Sequence, residues 1–157
     1  DGRVEAPPIE LNMDDTRPFR AASLARFGNA AELASAELVA PPAPASRVAT
    51  VNLVWRSLQD SPRPLTEYVH VFGPDGALVA QSDGVPNNDR FQSAAWRAGQ
   101  FILSPRSVSL PSGLPAGRYR VLAGLYWSDT QERLAAQALG PAAIADNSVE
   151  IGTLDIP

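Results

Sequence analysis

From Val48 onward, apolar and polar residues alternate in short runs, and most runs stop at a cluster rich in glycine or proline. A period of two places every second side chain on one face of a strand, and it cannot line one stripe of a helix. "VATVNLVWR" sets Ala49, Val51, Leu53 and Trp55 on one face, with Thr50, Asn52 and Arg56 on the other. "RYRVLAGLYW" does the same with Tyr119, Val121, Ala123, Leu125 and Trp127. "TEYVHVF" and "ALVAQSD" flank "GPDG", where proline presets φ, aspartate bonds locally and glycine accepts the left-handed position. "AGQFILSPRSVSL" is interrupted by Pro105, which predicts an edge strand or a bulge. Such strands with little convincing helix predict an all-β fold, an immunoglobulin-like or jelly-roll antiparallel β-sandwich.

At 157 residues the chain fits one domain with a full core. Residues 1–20 read as a linker or irregular entry, and residues 21–157 as the sandwich. "APPAPAS" stops whatever precedes it. In "LPAGRYRV", a glycine two residues before the strand-opening Tyr119 matches a tyrosine corner, so Tyr119 is expected to be structural.

Composition removes several functions. There is no cysteine, hence no disulfide framework, thiolate metal site or cysteine nucleophile. All 13 basic residues are arginine, and the net charge of −4 argues against nucleic-acid binding. Apolar stretches are broken by Pro, Glu or Arg, so direct insertion into a bilayer is not expected. The opening "DGRVEAPP", without an initiator methionine or signal peptide, suggests a piece of a longer protein.

The single histidine, His70, and Asp83 raise the question of a catalytic pair. A type I turn over "PDG", followed by a left-handed glycine, pairs Gly73 with Ala77 and sets Phe72 opposite Leu78, Val71 opposite Val79 and His70 opposite Ala80. His70 and Asp83 then point to opposite sides of the sheet, and His70 is expected to be a partly buried histidine on an apolar face. No G-x-S-x-G elbow is present, so no enzyme is expected. One histidine without cysteine argues against zinc or copper, and no cofactor is expected. Asp83, Asn87, Asn88 and Asp89 offer oxygens to calcium, but without the spacing of a calcium loop they read as a polar turn. The remaining binding candidate is Trp96 with Arg97, Asn87, Asn88, Asp89 and Arg90, a loop tryptophan beside polar groups that suits the face of a sugar. The competing expectation has Trp96 plugging the open end of the sandwich.

"RFGNAAEL", "VNLVWRSL", "YVHVFGPDGALVAQSDGVP", "AWRAGQ", "LPSGLPAGRYRVLAGLYW" and "ERL" occur in an order that resembles a known family. It is the β-sandwich domain on the C-terminal side of some bacterial multi-pass membrane glycosyltransferases, of the dolichyl-phosphate-mannose protein mannosyltransferase-like type. The resemblance implies that "RFGNAAELASAEL" is a strand pair, against its helix propensity. His70, Gln81, Asp83, Pro86, Trp96 and Gly99 match its motif positions. Gln100 and "SPR" (Ser104 to Arg106) stand where the family pattern usually places acidic residues, which weakens a carboxylate-built site. The implied role is a non-catalytic accessory domain at the extracytoplasmic face of a bacterial membrane, packing against the rest of its parent protein or touching a glycan acceptor. A self-standing carbohydrate-binding module and an adhesion or oligomerisation module pairing through strand edges are the alternatives.

Overall fold

A computed structural model describes residues 23–42 and 46–157. The expected linker, residues 1–20, and Ala43–Ala45 of "APPAPAS" lie outside the described residues. Among the described residues, ten strands form two antiparallel sheets: β1 (Ala25–Phe27), β2 (Ala31–Val39), β3 (Val48–Ser57), β4 (Leu65–Phe72), β5 (Leu78–Gly84), β6 (Phe101–Ser109), β7 (Gly117–Trp127), β8 (Ala136–Ala138), β9 (Ile144–Ala145) and β10 (Ser148–Ile156). One sheet has the order β6-β3-β2-β1-β8 and the other β5-β4-β7-β10-β9. The fold is an all-β antiparallel sandwich, as the alternation predicts.

The strand pair implied for "RFGNAAELASAEL" is present as β1 and β2, with Arg26 opposite Glu32. Alanine-rich segments favour helix locally, but sheet pairing on both sides of β1 and burial of Phe27 and Leu33 decide the outcome. Pro105 lies on β6, an edge strand, opposite Asn52. The turn Pro86–Asp89 packs on this edge, where the Asn87 N–H donates to Ser104 Oγ at 2.8 Å.

Between the sheets, the inward phases of β3 and β7 meet as the alternation predicts. Ala49, Val51, Leu53 and Trp55 are buried, as are Tyr119, Val121, Ala123 and Leu125. Phe27 meets Trp55 edge-to-face at 5.4 Å between ring centroids. Each large side chain buried here contributes about 1.5–3 kcal/mol. Trp127, expected in this core, is only half-buried and lies under the Arg63 guanidinium. The Tyr119 hydroxyl donates to the Pro115 carbonyl at 2.7 Å, the backward bond of a tyrosine corner.

Candidate functional site

The β4–β5 hairpin begins as its sequence demands. The Gly73 N–H donates to the Ala77 carbonyl at 2.8 Å, the Gly76 N–H donates to Gly73 at 2.9 Å, and Gly76 takes φ +82°. Phe72 faces Leu78. Beyond that pair the expected register fails, because Val79 is an extra, bulged residue and Val71 faces Ala80. His70 is therefore opposite Gln81, not Ala80, and Tyr68 is opposite Asp83. One bulge moves every later side chain of β5 to the other face. The expectation that His70 and Asp83 point apart is thus overturned. His70 Nε2 lies 3.7 Å from Asp83 Oδ1 on the outer face of the sheet.

Around this pair is a cavity of about 260 Å³, lined also by Tyr68, Gln81, Tyr126, Gln131 and Arg133. Four pieces of chain build it: β4, β5, β7 and the loop after β7. Tyr68 forms its floor and is only 1% exposed. The Tyr68 hydroxyl bonds Ser148 Oγ at 2.6 Å and donates to the Asn147 carbonyl at 3.2 Å. Asp146 and Asn147 take φ 48° and 58°, the left-handed pair of a tight hairpin turn between β9 and β10. Arg133 lies over the Tyr68 ring, 4.8 Å from its centroid, and donates through Nη1 to the Asp146 carbonyl at 2.7 Å. Tyr126 stacks beside Tyr68 at 5.9 Å and donates its hydroxyl to Asp83 Oδ2 at 3.1 Å.

Burial lowers the His70 pKa below the ordinary histidine value, and the charge of Arg133 lowers it further, while Asp83 opposes both. The imidazole is consequently neutral at neutral pH. Burial raises the Tyr126 pKa, and the Asp83 charge adds to it, so the phenol keeps its proton and remains a donor. Among the described residues, no serine or threonine hydroxyl lines the cavity beside the His70–Asp83 pair. What the cavity presents is a compact set of hydrogen-bond donors and acceptors with aromatic flanks.

The loop candidates do not assemble with it. Trp96 is 0% exposed and donates its indole N–H to the Phe91 carbonyl at 3.1 Å. It offers no surface for stacking, so the Trp96 platform is overturned and the plug is what the fold contains. Arg97 is exposed and bonds Ser61 Oγ at 2.9 Å. Asn87, Asn88 and Asp89 share left-handed φ values of 60°, 53° and 62°, and Asp89 Oδ1 accepts the Val85 N–H at 2.7 Å. Arg90 is exposed on the same turn. Among the described residues no three of His, Cys, Asp and Glu converge as a metal site. Replacing Trp96 by phenylalanine is expected to lower stability by roughly 1–3 kcal/mol through lost volume and the lost indole bond. Iodide should then quench a larger fraction of the remaining fluorescence, since a shielded emitter has gone and half-buried Trp127 stays; a smaller fraction would place Trp96 at the surface.

A second polar group lies inside the sandwich, and sequence reasoning missed it. Glu67, on the inward phase of β4, is 0% exposed. It accepts the Trp55 indole N–H at 2.8 Å, the Ser104 hydroxyl at 2.6 Å and the Arg106 Nε–H at 2.8 Å. Arg106 continues to Ser82 Oγ at 3.3 Å and the Val85 carbonyl at 3.1 Å. Burial pushes the Glu67 carboxyl pKa up, while the Ser104, Arg106 and Trp55 donors pull it down. The signal was available: Glu67 and Arg106 stand on the apolar phases of "LTEYVHVF" and "FILSPRSVS", with opposite charges.

By sequence, no family model and no curated protein matches the chain. Among solved structures it is similar to the C-terminal domain of Wzt, with TM-score 0.53, 12% identity, and 88% of this chain and 87% of that chain covered. It is also similar to a β-glucuronidase from glycoside hydrolase family 2, with TM-score 0.49 and 15% identity over 66% of this chain. A Bacteroides uniformis β-glucuronidase gives TM-score 0.42 and 13% identity over 75% of this chain. The chain spans about a tenth of the length of the family 2 enzyme. At 12% identity the likeness to the Wzt domain is one of fold, and it extends over nearly the whole length of that domain.

Proposed function

We propose that this sandwich is a non-catalytic accessory domain that holds one residue of a glycan in the His70–Asp83 cavity. In that proposal it belongs to a larger membrane-associated, glycosyltransferase-like protein and works at the extracytoplasmic face of a bacterial membrane. The observation that carries the reading is the convergence of Gln81, Asp83, Tyr126, Gln131 and Arg133 around a neutral imidazole in a space of about 260 Å³. A sugar hydroxyl both donates and accepts, so it is served best where acceptors such as Asp83 and donors such as Arg133 line one cavity. The rings of Tyr126 and His70 flank these groups and suit the C–H face of a pyranose. With Trp96 buried, the sugar-binding role moves from the Asn87–Arg90 loop to the sheet face.

The test is isothermal titration or NMR shift mapping of the chain against a panel of bacterial-type oligosaccharides. Binding should perturb β4, β5 and the loop after β7. Tyr126→Phe and Asp83→Asn should each weaken it about tenfold, the worth of one hydrogen bond to a charged group. Both surface-facing changes should leave stability within about 0.5 kcal/mol. Binding that survives both substitutions, or shifts confined to Asn87–Arg90, would refute this site.

A further inference from the structure

Ten arginines fall within the described residues, and six of them pair with carboxylates: Arg26 and Arg56 with Glu32, Arg63 with Asp129, Arg106 with Glu67, Arg118 with Asp155 and Arg120 with Glu150. Arg47, Arg90 and Arg97 form no ion pair among the described residues, and all three are exposed. Arg133 is different. It too has no ion pair among the described residues, yet it is half-buried in the wall of a cavity. Its guanidinium is held by uncharged contacts, the Asp146 carbonyl at 2.7 Å and the Tyr68 ring at 4.8 Å. A guanidinium has five N–H donors in a planar fork, and the Asp146 bond uses one. The one carboxylate in the cavity lining, Asp83, is already bonded by the Tyr126 hydroxyl and neighbours His70. A preorganised guanidinium with no carboxylate at ion-pair distance among the described residues, and with N–H donors to spare, is half of a binding pair.

We infer that the sugar held in this cavity carries an anionic substituent, a carboxylate fitting best, and that Arg133 is the group that recognises it. The inference rests on the glycan reading above. A planar carboxylate matches the fork in a two-point contact, whereas a hydroxyl meets it at one point. Gln131, on the same loop with φ 60°, adds a neutral amide to the same wall. Asp83 and Gln81 on the facing strand are left to take hydroxyls of the same ring.

The experiment titrates the chain with uronate-containing oligosaccharides (hyaluronate, polygalacturonate and alginate fragments) and with their carboxyl-reduced counterparts. Wild type should prefer an acidic form at least tenfold over its reduced partner. Arg133→Gln should abolish that preference, and Arg133→Lys should keep part of it, since a point charge remains while the fork is lost. Melting curves establish that each variant is folded, and the lysine variant carries the test if the glutamine variant is not. Equal affinity for acidic and reduced forms would overturn the inference and leave the glycan reading standing. Failure of the acidic, reduced and neutral glycans alike to bind would overturn both. A preference that persists in folded Arg133→Gln would remove Arg133 as its source.

Discussion

Arg106→Met is expected to cost about 3–5 kcal/mol of folding stability, the loss seen when one partner of a buried ion pair is removed. For a domain of this size that corresponds to a fall in Tm of roughly 6–20 °C. Glu67 is fully buried, and its carboxylate is completed by three donors from the opposite sheet: Trp55, Ser104 and Arg106. Methionine fills much of the arginine volume, so packing changes little and the unpaired carboxylate dominates. A pH series separates this cause from lost packing. Burial already raises the Glu67 pKa, and Arg106 is one of the groups holding it down. Without Arg106 the folded pKa rises further above the unfolded value of about 4.3. Between the two values the folded variant binds a proton that the unfolded chain does not, so its stability improves as pH falls through the folded pKa towards the unfolded one. The gap to wild type should therefore narrow in mildly acidic buffer. Adding Glu67→Gln to Arg106→Met should recover much of the loss at neutral pH, because an amide oxygen still accepts from Trp55 and carries no charge. A single-variant loss below 1 kcal/mol, independent of pH, would mean that water reaches Glu67.

These residues also show how far the chain could be read. Alternation in "VATVNLVWR" and "RYRVLAGLYW" set the inward faces of β3 and β7 correctly, since a period of two has one geometric solution in a strand. The "GPDG" turn was equally legible, down to the left-handed Gly76 and the Phe72–Leu78 pair. A turn fixes only the pairs next to it, however, and the extra residue at Val79 has no local signature: it is a small apolar residue among others. That one position decided whether His70 met Ala80 or Gln81, and hence whether a site existed on the sheet. Trp96 stayed open between a sugar platform and a buried plug, because a tryptophan between strands has no alternation to set its burial; in the fold its indole N–H bonds the Phe91 carbonyl out of solvent. Glu67 and Arg106 were readable as charges on apolar phases, but their meeting needs strands of different sheets brought together by the fold. The cavity likewise draws Asp146 and Asn147 from a turn far along the chain from His70, which no short window of sequence connects.

Gly124→Ala joins stability to the proposed site, and two opposing effects make its sign informative. Gly124 lies in β7 directly opposite Tyr68 of β4. Its φ is not positive, so alanine fits the backbone, and fewer unfolded conformations should by themselves add about 0.4–1 kcal/mol. Against this, a Cβ at Gly124 would overlap the Tyr68 phenol oxygen and ring. Tyr68 cannot easily withdraw. Its hydroxyl is bound by Ser148 and Asn147, Arg133 covers its ring, and Tyr126 stacks beside it. Overpacking of this kind costs about 1–3 kcal/mol, to which a broken buried hydrogen bond adds about 1 kcal/mol, so the clash outweighs the entropic gain. The expected result is a clear fall in Tm together with at least a tenfold loss of glycan affinity, since displacing Tyr68 displaces Arg133 and Tyr126 with it. Tyr68→Leu should also destabilise the wild type, but in the Gly124→Ala background it should cost much less, because the atoms that collide are gone. Strict additivity of the two changes, or a Tm that rises with alanine, would show that Tyr68 does not rest on the glycine and that the cavity floor is not built this way.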